Sequence, residues 1–215
     1  MKKLLIVLGV LAGLGLIGLI LIMIAAGSYN GLVRLSQGVD NSWAQVQADY
    51  QRRADLIPNL VATVSGAADF EKSTLTQITE ARASVGKVTV DTKNAPSDPA
   101  KLAAFDQAQS QLSSALSRLL VVVERYPELK ATANFAALQA QLEGTENRIT
   151  VARRDFNDAV QAYDTAIKSF PAILYAGACG FHDKPYFAAA PGSETAPKVQ
   201  FNYGGPNTAP APVKP

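Results

Sequence analysis

Cysteine and histidine each occur once, as Cys179 and His182. One cysteine cannot close an intramolecular disulfide, and one of each cannot assemble a zinc site with its usual four ligands. An excess of either charge is also missing: 20 Lys and Arg stand against 18 Asp and Glu, a formal net charge of +2. Lys2 and Lys3 account for that excess, so the remainder of the chain is neutral. Nucleic-acid binding draws its affinity from a basic footprint that neutralises phosphates, and this balance excludes it. No glycine-rich phosphate cradle and no carboxylate cluster at metal-ligand spacing is written into the chain. Hydrolytic or transfer chemistry needs a nucleophile beside a base, or a shielded carboxylate pair. The nearest approach is CGFH, where Cys179 and His182 lie three residues apart without a third group to orient them. The expectation is therefore no enzyme and no cofactor, with a hydrolase built on Cys179 and His182 as the rival.

What the sequence does contain is a long apolar run. Leu4 to Ala26 gives 23 residues without a charge, eight of them Leu and five Ile, behind Lys2 and Lys3. As a helix it rises about 34 Å, enough to cross a hydrocarbon core of about 30 Å. A cleaved signal peptide is the competing reading, since small residues follow at Ala25 to Ser28. Signal h-regions are shorter, roughly 7 to 15 residues, which favours an uncleaved single-pass anchor over residues 1–27. Gly9 and Gly13 form a GxxxG pair that would let two such helices approach closely and support a homo-oligomer. Two lysines precede the span and only Arg34 follows it closely, so the N-terminus is expected in the cytoplasm and the domain outside it, at the cytoplasmic (inner) membrane of a cell envelope.

Beyond the anchor, a mainly apolar stripe recurs in steps of three and four, as in an amphipathic helix: Tyr29, Leu32, Ser36, Val39, Trp43, Val46, Tyr50, then Ile57, Leu60 and Val64. Pro58 interrupts the rhythm. Proline inside a helix removes a hydrogen bond, so either the helix kinks there or one helix ends and another starts near Asp55, a plausible N-cap. Continuity of the stripe favours a kink, whereas an unbroken helix to Val85 would be about 85 Å long, which favours the break. Asp98 followed by Pro99 marks another start. Its heptad-like seam runs through Leu102, Phe105, Gln109, Leu112, Leu116, Leu119 and Val123 to Tyr126, before Pro127. A further helix runs from about Asn134 to Phe170, before Pro171. The expected fold is all-α: helices near 28–55, 58–85, 99–126 and 134–170 in an antiparallel four-helix up-and-down bundle. A non-helical or short-helical segment at 171–203 follows, then a flexible Pro-rich tail at 204–215. The apolar stretch Ala172 to Phe181 is too short to span a membrane and either packs on the bundle or lies at the interface. Of the adjacent Arg52 and Arg53, only one can lie along the buried seam, and that one is expected to be tied to Asp55, another acid or a helix end.

The blocks YNGLVRLSQGVDNSWAQVQADYQRRADLIPNLVATV, ENRITVARRDFNDAVQAYDTAIKSFP and GFHDKPYF, in this order, carry a family resemblance. The chain resembles the LemA family of bacterial membrane proteins over about residues 28–203. The resemblance implies an anchored four-helix bundle and supplies no catalytic residue. The residues matching the family pattern are Tyr29, Asn30, Arg52, Arg53, Pro58, Asn59, Arg153, Asn157, Pro171, Phe181, Pro185 and Phe187. His182 stands where lysine is common in the family, which weakens a catalytic role for it. Together these features predict a non-enzymatic, membrane-anchored interaction or scaffold protein whose protein partners the sequence does not identify. A bundle that binds or senses a ligand between its helices is the alternative.

Overall fold

A computed structural model describes residues 2–66, 71–88 and 94–188. The described residues are helical or irregular, with long helices α1 (Lys2–Ser65), α2 (Lys72–Lys87), α3 (Pro99–Val123) and α5 (Ala133–Lys168), a short α4 (Pro127–Lys130) and a 3-10 turn at Ala172–Leu174. The expected tail at 204–215 and the segment from 189 lie outside the described residues, as do residues 67–70 of the expected helix at 58–85 and residues 89–93 between it and the expected start at Asp98.

The first correction concerns α1. The apolar run and the amphipathic segment form one helix of 64 residues, with no interruption between residues 27 and 28. Nor does the helix break near Asp55. Pro58 sits inside it, on the exposed side with Asn59, while Ile57 and Leu60 on either side are buried. Proline has no N–H for the carbonyl four residues back, which is that of Ala54. The Arg82 guanidinium of α2 donates to this carbonyl instead, with Nε at 3.2 Å. Asp55 is thus not an N-cap; it accepts from Gln51 one turn away at 2.7 Å. The helix ends at Ser65, before Gly66, so the second helix starts at Lys72 and not at Pro58.

The other starts follow local chemistry. Asp98 accepts from the Ala100 N–H at 2.9 Å, with Pro99 at the first helical position. α3 stops at Val123, and Pro127 opens α4. The Thr132 hydroxyl accepts from the Phe135 N–H at 3.3 Å, which starts α5 at Ala133. α5 closes at Lys168, two residues before Phe170.

Side-chain partners give the register. Arg53, Tyr50 and Trp43 of α1 meet Glu146, Arg153 and Phe156 of α5, so the numbers fall along one helix as they rise along the other. Gln77 of α2 likewise meets Arg118 of α3, and Glu71, just before α2, meets Arg125, just past α3. Two apolar clusters result. One gathers Leu32, Val39, Trp43, Tyr50, Phe105, Phe156, Val160 and Tyr163 with Ala172 and Phe187. The other gathers Ile57, Leu60, Val64, Ile78, Leu112, Leu119, Leu129 and Phe135. The N-terminal part of α1 packs on neither: Leu11, Leu14 and Ile22 are 61, 61 and 67% exposed. That segment is the one described helix long and apolar enough to cross a membrane.

Candidate functional site

Arg53 lies on the buried stripe of α1 between Tyr50 and Ile57, at the boundary of the two apolar clusters. It is 1% exposed. Its Nη1 donates to Ser113 Oγ at 2.7 Å and to Glu146 Oε2 at 2.8 Å. Its Nη2 donates to the side-chain oxygen of Gln109 at 2.5 Å, and the guanidinium lies 5.1 Å from the Tyr50 ring centre. The planar fork thus joins α1, α3 and α5, which a lysine's single ammonium would not do. Gln109, which occupies a core position of the α3 seam, is the buried polar side chain that faces it, while the Arg53 Nε has no hydrogen-bond partner among the described residues. Arg52 is exposed.

The second cluster lies one turn nearer the anchor. Arg153 donates to Asp106 Oδ1 at 2.6 Å and to the Tyr50 hydroxyl at 3.4 Å, and covers the Phe187 ring at 4.4 Å. Asn157 reads the backbone of Phe187 in both directions: its Oδ1 accepts from the Phe187 N–H at 2.9 Å and its Nδ2 donates to the Phe187 carbonyl at 3.1 Å. Phe187 then wedges between Trp43 and Phe156, with centroids 6.2 and 5.5 Å away. Further along, Lys184 pairs with Asp40 at 3.0 Å, both nearly buried, and its backbone N–H donates to Asp164 at 3.2 Å. Asp40 also accepts from the Ala95 N–H at 2.9 Å. Phe181 meets Tyr29 edge-on at 5.5 Å. Residues 181–188 are therefore a strap laid across α1 and α5, fastened at four points. Burial pushes the Tyr50 phenol above its ordinary 10.0, although Arg153 and Arg53 pull it down. Burial raises the Tyr163 phenol as well, with Asp164 adding to it.

Six of the twelve family-pattern residues are thus brought together in these two clusters: Arg53 in one; Arg153, Asn157, Phe187, Phe181 and Tyr29 in or under the strap. Pro185 lines a groove beside Arg153 with Leu102 and Asp106. Pro171 is half-buried before the 3-10 turn. Asn30, Arg52, Pro58 and Asn59 are exposed and join neither cluster. Cys179 and His182 are also exposed. A Cβ added to Gly9 or Gly13 meets nothing within 4 Å, so both face away from this chain. Sequence reasoning did not single out Asp40, Asp106, Asp164 or Lys184. Gln109 did leave a signal, as a polar residue in an otherwise apolar seam.

A sequence model of the LemA family matches residues 42–201. Protein LemA of Metamycoplasma hominis is 26% identical over 144 residues, covering 67% of this chain and 61% of that protein. Magnetosome protein MamQ 2 of Paramagnetospirillum magneticum is 25% identical over 189 residues, covering 78% of this chain and 67% of the relative. Magnetosome protein MamQ of Magnetospirillum gryphiswaldense is 25% identical over 186 residues with the same coverage. The chain thus spans less than two thirds of the mycoplasma protein. Neither name, LemA or MamQ, denotes an enzyme. The family match extends from Trp43 and Arg53 through the Arg153 and Asn157 cluster to the strap, the parts that hold the helices together, and the chain belongs to the LemA family.

Proposed function

We propose that this chain is a non-enzymatic, single-pass membrane protein that presents a four-helix up-and-down bundle as an interaction scaffold at the cytoplasmic membrane. The observation that carries this reading is the continuity of α1 from Lys2 to Ser65. The same helix that is apolar enough to span a bilayer supplies the central stripe of the bundle, so the bundle is fixed rigidly to its anchor. Three cations at the helix contacts are paired within the chain: Arg53 with Glu146, Arg153 with Asp106, Lys184 with Asp40. A scaffold uses its outer faces, and that of α5 carries charges of both signs, with Arg148, Arg154, Asp155 and Asp158 exposed. The magnetosome relatives favour a role at membranes. Lys2 and Lys3 before the span favour a cytoplasmic N-terminus and an extracytoplasmic bundle.

The test is site-specific photocrosslinking in intact membranes from exposed positions such as Val121 and Val151. Adducts of one defined protein, restricted to one face of the bundle, are the expected result. Adducts with lipid or nothing at all positions would overturn the scaffold reading. A second reading, a ligand bound between helices, is favoured by a crevice of about 200 Å³ lined by Arg53, Leu60, Leu116, Leu120, Leu142 and Glu143. A shift of the full-length protein's melting temperature with an apolar anionic ligand would support it.

A further inference from the structure

The turn after α5 carries three of the most exposed large apolar side chains outside the span: Phe170 at 80%, Ile173 at 59% and Leu174 at 74%. Their neighbours Ala172 and Ala176 are buried in the same cluster as Leu32 of α1. The segment is therefore two-faced, with small residues turned into the bundle and large apolar ones turned out. Contiguous exposed apolar groups of this kind mark an interaction site.

Their height above the anchor says what covers them. Lys184 bridges Asp40 of α1 to Asp164 of α5. Because the two helices run in opposite directions, the last four residues of α5, to Lys168, match about four of α1, which sets Phe170, just beyond, opposite the neighbourhood of Arg34. The 3-10 turn lies against α1 itself, and Phe181 touches Tyr29. In the sequence, Arg34 is the first charged residue after Lys3, so Leu4 to Val33 is an uncharged run of 30 residues. As helix it measures about 45 Å, the thickness of a bilayer with its headgroups included. Tyr29, at the level where aromatic side chains collect at the membrane boundary, then lies in the headgroup zone. Because α1 is unbroken there, no linker separates the turn from that zone.

We propose that Phe170, Ile173 and Leu174 insert into the interfacial layer of the leaflet from which α1 emerges, giving the domain a second, peripheral contact with lipid. The occupant is the bilayer itself, since the same rigid helix holds both the span and the turn. Apolar side chains on a surface element gain by burial at the headgroup and acyl boundary, and the anchor makes that burial intramolecular. The exposed Lys168, two residues before Phe170 and paired with Asp183 at 2.7 Å, and the exposed Arg34, by the same register at about that height on α1, suit the headgroup layer. The contact would stop the bundle from tilting about its anchor.

The inference rests on α1 spanning a bilayer, and the experiment separates the two. In the full-length chain with Cys179→Ser, an environment-sensitive fluorophore is attached at Ile173→Cys, at Leu174→Cys, at Leu14→Cys in the span, or at Val121→Cys on the outer face of α3. Each protein is reconstituted in nanodiscs of phosphatidylcholine and phosphatidylglycerol, with or without lipids brominated both near the carbonyl end and towards the methyl end of the chains. The expected result is a blue-shifted emission and about a twofold bromine-dependent loss of intensity at 173 and 174, as at 14, with neither at 121. If position 14 is unquenched, the spanning reading fails and the inference fails with it. If 14 is quenched while 173 and 174 behave like 121 and are quenched by aqueous iodide, the inference alone is overturned. A blue shift at 173 without bromine quenching would mean that protein covers the turn, which also overturns it.

Discussion

Truncating Arg53 tests the polar layer between the two apolar clusters. Arg53→Ala removes donors to Ser113, Glu146 and Gln109. Glu146 is 52% exposed at its side chain and returns to water, so the full penalty of about 3 to 5 kcal/mol for orphaning a buried charge does not apply to it. Gln109 is only 3% exposed, and its stranded side-chain oxygen costs about 1 to 3 kcal/mol. The vacated volume beside Tyr50 and the lost packing of the arginine stem add about 1 to 2 kcal/mol. The expected loss is about 3 kcal/mol. Arg53→Lys should lose roughly half as much, since one ammonium replaces part of the fork. Arg52→Ala, exposed, should stay within about 0.5 kcal/mol of the parent. Trp43, the single tryptophan and fully buried, reports unfolding of the full-length protein in detergent as urea is raised. A change of less than about 0.5 kcal/mol for Arg53→Ala would show that these hydrogen bonds contribute nothing net, and the argument that Arg53 staples three helices would fall.

Asn157→Ala removes both hydrogen bonds to the Phe187 backbone and should release the strap, costing about 2 kcal/mol and exposing residues 181–188 to protease before the helices unfold. Unchanged cleavage kinetics would refute that role. Tyr50 titrates higher in the folded chain because it is buried, so the unfolded state gives up its proton first. Stability is then fully present below pH 10 and falls as pH rises above about 10, and Tyr50→Phe should flatten that fall in a melting series across this range. An equally steep decline in the variant would assign it to other groups. Cys179, the one cysteine and exposed, should react with a membrane-impermeant maleimide in intact spheroplasts; labelling only after lysis would place the bundle in the cytoplasm. Cys179→Ala should leave the urea midpoint within about 0.5 kcal/mol of the parent, and a larger loss would give the thiol a packing role that its exposure denies.

The sequence by itself determined what depends on neighbours along the chain. An uncharged run long enough for a membrane, the 3.6-residue rhythm of α3 and α5, and the start of α3 at Asp98 and Pro99 are local, because period and cap are set within a few residues. The stripe through Ile57, Leu60 and Val64 even recorded that α1 continues past Pro58. Only the tertiary structure decided that it does, because the remedy for the proline comes from Arg82, 28 residues away from the Ala54 carbonyl that it satisfies. The length argument for a break ran the helix on to Val85; α1 instead ends at Ser65, and only its part beyond the exposed apolar run packs against other helices. The choice between Arg52 and Arg53 was likewise narrowed to one by helix geometry and then made by partners 60 and 93 residues distant, Ser113 and Glu146. The strap, held by Asn157, Lys184 and Asp40, has no periodicity to announce it. Its order comes from side chains on other elements that satisfy its backbone and bury Phe187, and contacts of that kind exist only once the helices have packed.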